Sequence, residues 1–231
     1  MNLKSKRNTI IKRVLPLMIA FSFCACTENK SELTTLCDSY STDAISYFSE
    51  VGFRDHQNMQ RWAKDIKILV SESNNPSDLK AIDDFIETFN QYAFGIRMKR
   101  VTSEGNLEIK FHDNEKLNPK RLNGLCTTEV PMFSNHITSA NILIVPFNSD
   151  ETKRRVIHRE LLKAIGLKPT NQEYDEYNLM GKYTFKSIED SENKLYDFRV
   201  PNLDKQAIRL LYDYKLEAGL KRDVFLKAVN G

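Results

Sequence analysis

Residues 152–169 carry a helix with a hard stop, and that stop constrains the chain more than any other segment. At about 100° per residue, Ile157, Leu161, Ala164 and Ile165 share one face and form an apolar stripe that needs a partner surface. Gly166 is placed to end the helix in a left-handed conformation, and Pro169 prevents the helix from resuming. Arg159 and Lys163 project almost opposite the stripe, while Glu160 lies on its border, where it can face a cleft. Just upstream, Ile142 to Val145 is a continuous apolar run, which predicts a central strand buried on both faces. Periodicity of this kind also fits an ordinary surface helix with a solvated charged side, so other segments must decide its role.

Asp65 to Ser71 places Ile66, Ile68 and Val70 on one side and reads as a strand. Pro76-Ser77-Asp78 opens a helix with Leu79, Ile82, Phe85, Ile86 and Phe89 on one face. Gly95 to Val101 and Leu107 to Phe111 read as two more strands, joined at Glu104-Gly105-Asn106. Helical spacing also marks residues 38–50 and Leu203 to Tyr214. The order strand, helix, three strands, helix, irregular segment and terminal helix predicts an α+β fold, a mixed sheet with helices packed against it.

The N-terminus reads as an export signal. Lys4, Lys6, Arg7, Lys12 and Arg13 precede Val14 to Phe23, an apolar stretch too brief for a span of about 20 residues. Phe23-Cys24-Ala25-Cys26 resembles a bacterial lipobox, which makes Cys26 the lipidated first mature residue; a plain cleaved signal peptide and a retained anchor are the alternatives. The predicted organisation is a signal over 1–25, a tether over 26–37 and a single domain over 38–231. The whole chain has a formal net charge of +3. The five basic residues leave with the signal, and 34 less five leaves 29 against 31 acidic ones. No basic stripe remains to favour nucleic acid as a partner. In an exported chain Cys37 and Cys126 can join as a disulfide or stay as two buried thiols.

Three segments together resemble a zincin of the metzincin branch. A zincin helix reads His-Glu-x-x-His, with the glutamate as general base between two zinc-binding imidazoles. Aligning Glu160 and Gly166 with it puts Arg159 and Lys163 at the two histidine positions. Asn178-Leu179-Met180 stands where a metzincin places the Met-turn under its metal, and Asn202 to Tyr212 resembles the closing helix. The chain is also similar to an uncharacterised family of exported bacterial metzincin-like domains of unknown function. That family carries Glu-Glu-x-x-Gln-x-Leu-Gly-Leu, matched at Glu160, Gly166 and Leu167, and an Asp followed by Leu-Tyr, matched at Asp204, Leu211 and Tyr212. Tyr47-Phe48-x-Glu50-Val51 and Arg61-Trp62-x-x-Asp65-Ile66-x-Ile68 resemble its opening helix and first strand. The resemblance implies an upper lobe to about residue 167, a lower lobe over about 168–231, and a cleft holding Arg159, Glu160, Lys163 and Met180.

The chemistry in that cleft departs from a protease. Two fixed cations cannot ligate a dication, and no two histidines stand three or four residues apart. His158 is a weak metal candidate, in a site built with Glu160 and a distant His136 or His112. Cations beside Glu160 lower its pKa, the wrong direction for a general base, so an ion pair is its expected role and catalysis falls to it only in an active enzyme. No nucleophile elbow, P-loop or dinucleotide fingerprint is present. The expectation is an exported lipoprotein of the cell envelope, facing the periplasm or the cell surface and held to the membrane through Cys26. Its degenerate, metal-free domain binds a protein or peptide. A zinc hydrolase with a non-standard site and a structural envelope component are the alternatives.

Overall fold

The computed structural model describes residues 33, 35, 36, 39–54, 57–71, 75–111, 124–145, 150–182 and 199–229. The expected signal, Cys26, Cys37, His56 and His112 lie outside them. The elements run α1 (Thr42–Val51), β1 (Phe53–Arg54), β2 (Asn58–Met59), β3 (Arg61–Trp62), β4 (Ile66–Ser71), α2 (Pro76–Tyr92), β5 (Met98–Val101), β6 (Leu107–Phe111), β7 (Gly124–Glu129), β8 (His136–Ile137), β9 (Ser139–Ile144), α3 (Asp150–Ala164), α4 (Asn202–Leu211) and α5 (Arg222–Val229). The fold is α+β, as the element order predicts. No helix among the described residues is long and apolar enough to cross a membrane.

The main sheet has the order β5-β4-β6-β9-β7. Strands β5, β4, β6 and β9 are parallel, and β7 is added antiparallel to β9 at one edge. Helix α2 returns the chain from β4 to its parallel neighbour β5, as parallel pairing demands. Asn75 caps α2 by accepting the Ser77 N–H at 2.9 Å, and Pro76 occupies its first turn, where a missing N–H costs nothing.

Only one face of the sheet is fully buried. Ile66 and Ile68, Leu107, Ile109 and Phe111, and Ala140, Ile142 and Ile144 point into the core with Met98. Lys67, Lys99, Lys110 and Asn141 point to solvent on the other face. The expectation that Ile142–Val145 is buried on both faces is therefore corrected. The strand is Ser139–Ile144, its burial alternates, and Leu143 is only half-buried. Helices α2 and α3 pack on each other and on one side of the sheet, so one layer of helix covers one layer of sheet.

Helix α3 is no surface helix. Val156, Ile157, His158, Glu160, Leu161, Leu162, Ala164 and Ile165 are all buried, and Arg159 is exposed. Its apolar face meets the sheet, and α2 covers a second side. Beyond it the chain turns at Leu167, forms a buried loop at Tyr177–Met180 and closes with α4 and α5. One continuous core runs from Phe48, Phe53 and Phe225 to Phe85, Phe89 and Tyr212.

Candidate functional site

The site is organised by the way α3 ends. The Gly166 N–H donates to the Lys163 carbonyl at 3.0 Å and the Leu167 N–H to the Leu162 carbonyl at 3.1 Å. These are the two bonds of a Schellman motif with Gly166 as its left-handed residue, at φ 118°. A Cβ at Gly166 would stand 2.1 Å from the Gln60 carbonyl oxygen, so only glycine lets that backbone pass. The last carbonyls of a helix lack partners within it. Here Trp62 Nε1 donates to the Ala164 carbonyl at 2.8 Å and the Tyr212 hydroxyl to the Ile165 carbonyl at 2.9 Å. The Gly166-Leu167, Trp62 and Leu211-Tyr212 signals of the sequence are thus parts of one helix-ending device.

Within the last turn, Lys163 Nζ lies 2.6 Å and 2.8 Å from the two oxygens of Glu160. The carboxylate side chain is 3% exposed and the lysine 24%. Lys163 does not stand clear on the far face of the helix; it folds back onto Glu160. Arg159 points away, exposed, and takes no part in the pair. Facing this turn from β7 is Cys126, a free thiol pushed up to about 12 by burial and then by the Glu160 carboxylate, with Lys163 pulling the other way. Between β7 and the end of α3 lies a pocket of about 220 Å³, lined by Gln60, Cys126, Thr128, Ile137, Lys163, Gly166, Leu167, Lys168 and Pro169.

Met180 is buried in a loop tied at several points and is not among the described residues that line the pocket. Asn178 Nδ2 donates to the Glu176 carbonyl at 3.0 Å and its Oδ1 accepts the Gly181 N–H. Thr170 N–H reaches the Met180 carbonyl at 2.8 Å. Asp204, fully buried in the first turn of α4, accepts the Leu179 N–H at 2.8 Å and the Tyr47 hydroxyl. Burial pushes its carboxyl up to about 7 against the pull of those two hydrogen bonds. Asp204 is thus a positioning residue for the Met180 loop, and Tyr47 is the second half of the same clamp.

Among the described residues, the donors near α3 do not assemble into a zinc site. His158 turns into the core, where its Nε2 lies 2.9 Å from the Ala81 carbonyl on α2, and its ring packs 5.8 Å from Phe85. A carbonyl can only accept, so Nε2 carries the proton, and burial lowers the ring's pKa to about 4. His136 is exposed on β8, away from that packing. Among the described residues no three His, Cys, Asp or Glu side chains come together. Near the end of α3 the described residues offer an ammonium, a carboxylate already bound to it and one thiol, and no imidazole.

The structure brings together Glu160 and Lys163, puts Met180 in the core and not in the described pocket wall, and leaves Arg159 outside. The pocket wall contributed by Cys126, Thr128, Gln60 and Ile137 was not foreseeable from helix spacing, because it comes from strands β7 and β8 and the segment before β3. Cys126 carries a thiol here, and Cys37 lies outside the described residues.

A family profile described as "Protein of unknown function (DUF2927)" matches residues 41–230. No curated protein matches. Among solved structures the chain is similar to high choriolytic enzyme 1 (HCE-1), a hatching enzyme zinc-protease from Oryzias latipes (medaka fish). The identity is 17%, covering 50% of this chain and 52% of that one, with a TM-score of 0.32. The chain therefore spans about half the length of that enzyme. Two structures of myroilysin are also similar, at 14% and 13% identity. They cover 67% and 66% of this chain and 83% and 86% of theirs, with TM-scores of 0.41 and 0.40.

Proposed function

Since the chain belongs to the DUF2927 family of proteins of unknown function, we propose that it is an exported lipoprotein whose metzincin-like domain binds an extended peptide or protein segment and does not cleave it. The observation that carries this reading is the Lys163–Glu160 pair. A general base must be able to take a proton from water, and this carboxylate has both oxygens committed to an ammonium. The same lysine stands at a position where a zincin has a metal-binding imidazole. What remains of such a cleft is its shape: β7, the antiparallel edge strand, with Leu125, Thr127 and Glu129 exposed and Cys126 and Thr128 turned toward α3. Among the described strands β7 is an edge, and an edge strand offers backbone groups with which an extended peptide can pair.

Incubating the purified domain with a pool of random peptides, with and without added zinc, tests this directly. Peptides are expected to be retained on equilibrium dialysis with no new termini by mass spectrometry. New termini that vanish in Glu160→Gln would replace the binding reading with a hydrolase. The membrane attachment rests on Cys26 in its lipobox-like context. In cells fed labelled palmitate, the label should enter the protein and be absent from Cys26→Ala; equal labelling of the two refutes Cys26 as the anchor.

A further inference from the structure

We infer that the pocket beside β7 captures the C-terminal carboxylate of the bound peptide, with Lys163 as the group that reads it. The inference rests on the peptide-binding reading above and gives that site its ligand chemistry. An ammonium has three N–H donors, and the Glu160 oxygens account for two contacts, at 2.6 Å and 2.8 Å. The lysine is 24% exposed and lines the pocket, so its third N–H is the one a ligand there would meet. Among the described residues that line the pocket two are lysines, Lys163 and Lys168, and none is acidic. Glu160 is 3% exposed and is not among the described lining residues, so of the paired groups it is the ammonium that reaches the pocket.

The rest of the wall fits the last residue of a chain. Ile137, Leu167 and Pro169 supply an apolar surface, while the Thr128 hydroxyl and Gln60 amide are hydrogen-bonding side chains beside the charge. A volume of about 220 Å³ has room for one terminal residue. Cys126 and Thr128 belong to β7 itself, so the pocket adjoins the strand with which the peptide would pair. The ligand class is an extended peptide with a free C-terminal carboxylate and an apolar last side chain. Fixing a carboxylate among donors while the backbone adds a strand is a known way for a domain to read chain ends.

The test compares two pools of random hexapeptides ending in leucine, one with free C-termini and one amidated, by equilibrium dialysis against the full mature chain. The free-acid pool should bind at least about tenfold more tightly. In the double variant Glu160→Gln, Lys163→Gln, which removes the charge pair together and so leaves no unpaired charge in the core, the two pools should bind alike. Thermal unfolding of that variant verifies that it is folded. Equal binding of both pools by the unaltered protein overturns the carboxylate reading and leaves strand addition standing. A preference that survives in the double variant also overturns it, because another group would then be reading the carboxylate. If neither pool binds, the peptide-binding reading fails and this inference falls with it.

Discussion

Glu160 and Lys163 show how a single residue choice sets the character of this cleft. A carboxylate 3% exposed is costly unless something answers its charge, and Lys163 answers it with both oxygens in reach. The two partners are not equivalent. Lys163 is partly exposed and can turn to water if Glu160 is lost, while Glu160 has no such route. Lys163→Met should therefore cost about 3 kcal/mol and Glu160→Leu about 1 kcal/mol, with solvent screening included in the smaller figure. The double variant Glu160→Leu, Lys163→Met should recover most of the larger loss, since an apolar pair replaces a charge pair. Urea denaturation at neutral pH measures all three. A loss below about 0.5 kcal/mol for Lys163→Met would mean that Glu160 does not depend on its partner.

At the scale of elements, the end of α3 is where sequence and structure agree most closely. Gly166, Pro169 and the Leu-Tyr of α4 were separate signals, and they converge on one helix terminus whose carbonyls are satisfied by Trp62 and Tyr212. Gly166→Ala tests that device. The substitution combines a φ of 118° with a contact of 2.1 Å to the backbone of Gln60, so a loss of about 3 kcal/mol is expected. In a chain of this size that lowers the midpoint of thermal unfolding by roughly 10 °C. Gly95→Ala is the control: φ is 74° but nothing lies within 4 Å, so the loss should be only about 1 kcal/mol. Similar midpoints for the two variants would show that the close approach of Gln60 is not a constraint.

The same comparison shows why other elements were less readable. The α+β order was visible because β4, β6 and α2 each bury a regular stripe. Strand β7 carries Leu-Cys-Thr-Thr-Glu, with its only large apolar residue, Leu125, exposed at 48%, so no hydrophobic alternation announces it. Helix α5 buries a single residue, Phe225, and is too short for a period to show. The apolar run at Ile142–Val145 overstated burial because half-buried Leu143 lies on the open face of the sheet. The Glu160–Lys163 pair could be read from its spacing of three residues. Its pocket could not, because the opposite wall belongs to the strand that left no trace.

At the scale of the whole molecule, two buried titratable groups tie stability to pH in opposite senses. Asp204 has its pKa raised to about 7, chiefly by burial, with Tyr47 and Leu179 lowering it and Glu176 raising it. Between its ordinary value of 3.8 and about 7 the folded state holds more protons than the unfolded one, so stability falls as pH rises through that window. His158 has its pKa lowered from 6.5 to about 4, again by burial first, with the Ala81 carbonyl and Asp84 raising it and Arg154 lowering it. Between those values the unfolded state holds more protons, so stability falls as pH drops. Over the shared window, about pH 4 to 6.5, the two slopes nearly cancel. Removing either group should expose the other. His158→Gln should gain stability relative to the unaltered chain on acidification from about pH 7 to about pH 4.5, by about 3 kcal/mol, and Asp204→Asn should lose a comparable amount over the same range. Urea midpoints taken across that range for the three proteins measure the effect as a difference, which cancels the common titration of surface carboxylates. Three parallel curves would mean that neither group changes its proton affinity on folding; divergence in opposite directions makes the α2–α3 packing and the clamp on the Met180 loop two separate, opposed proton-linked elements of one core.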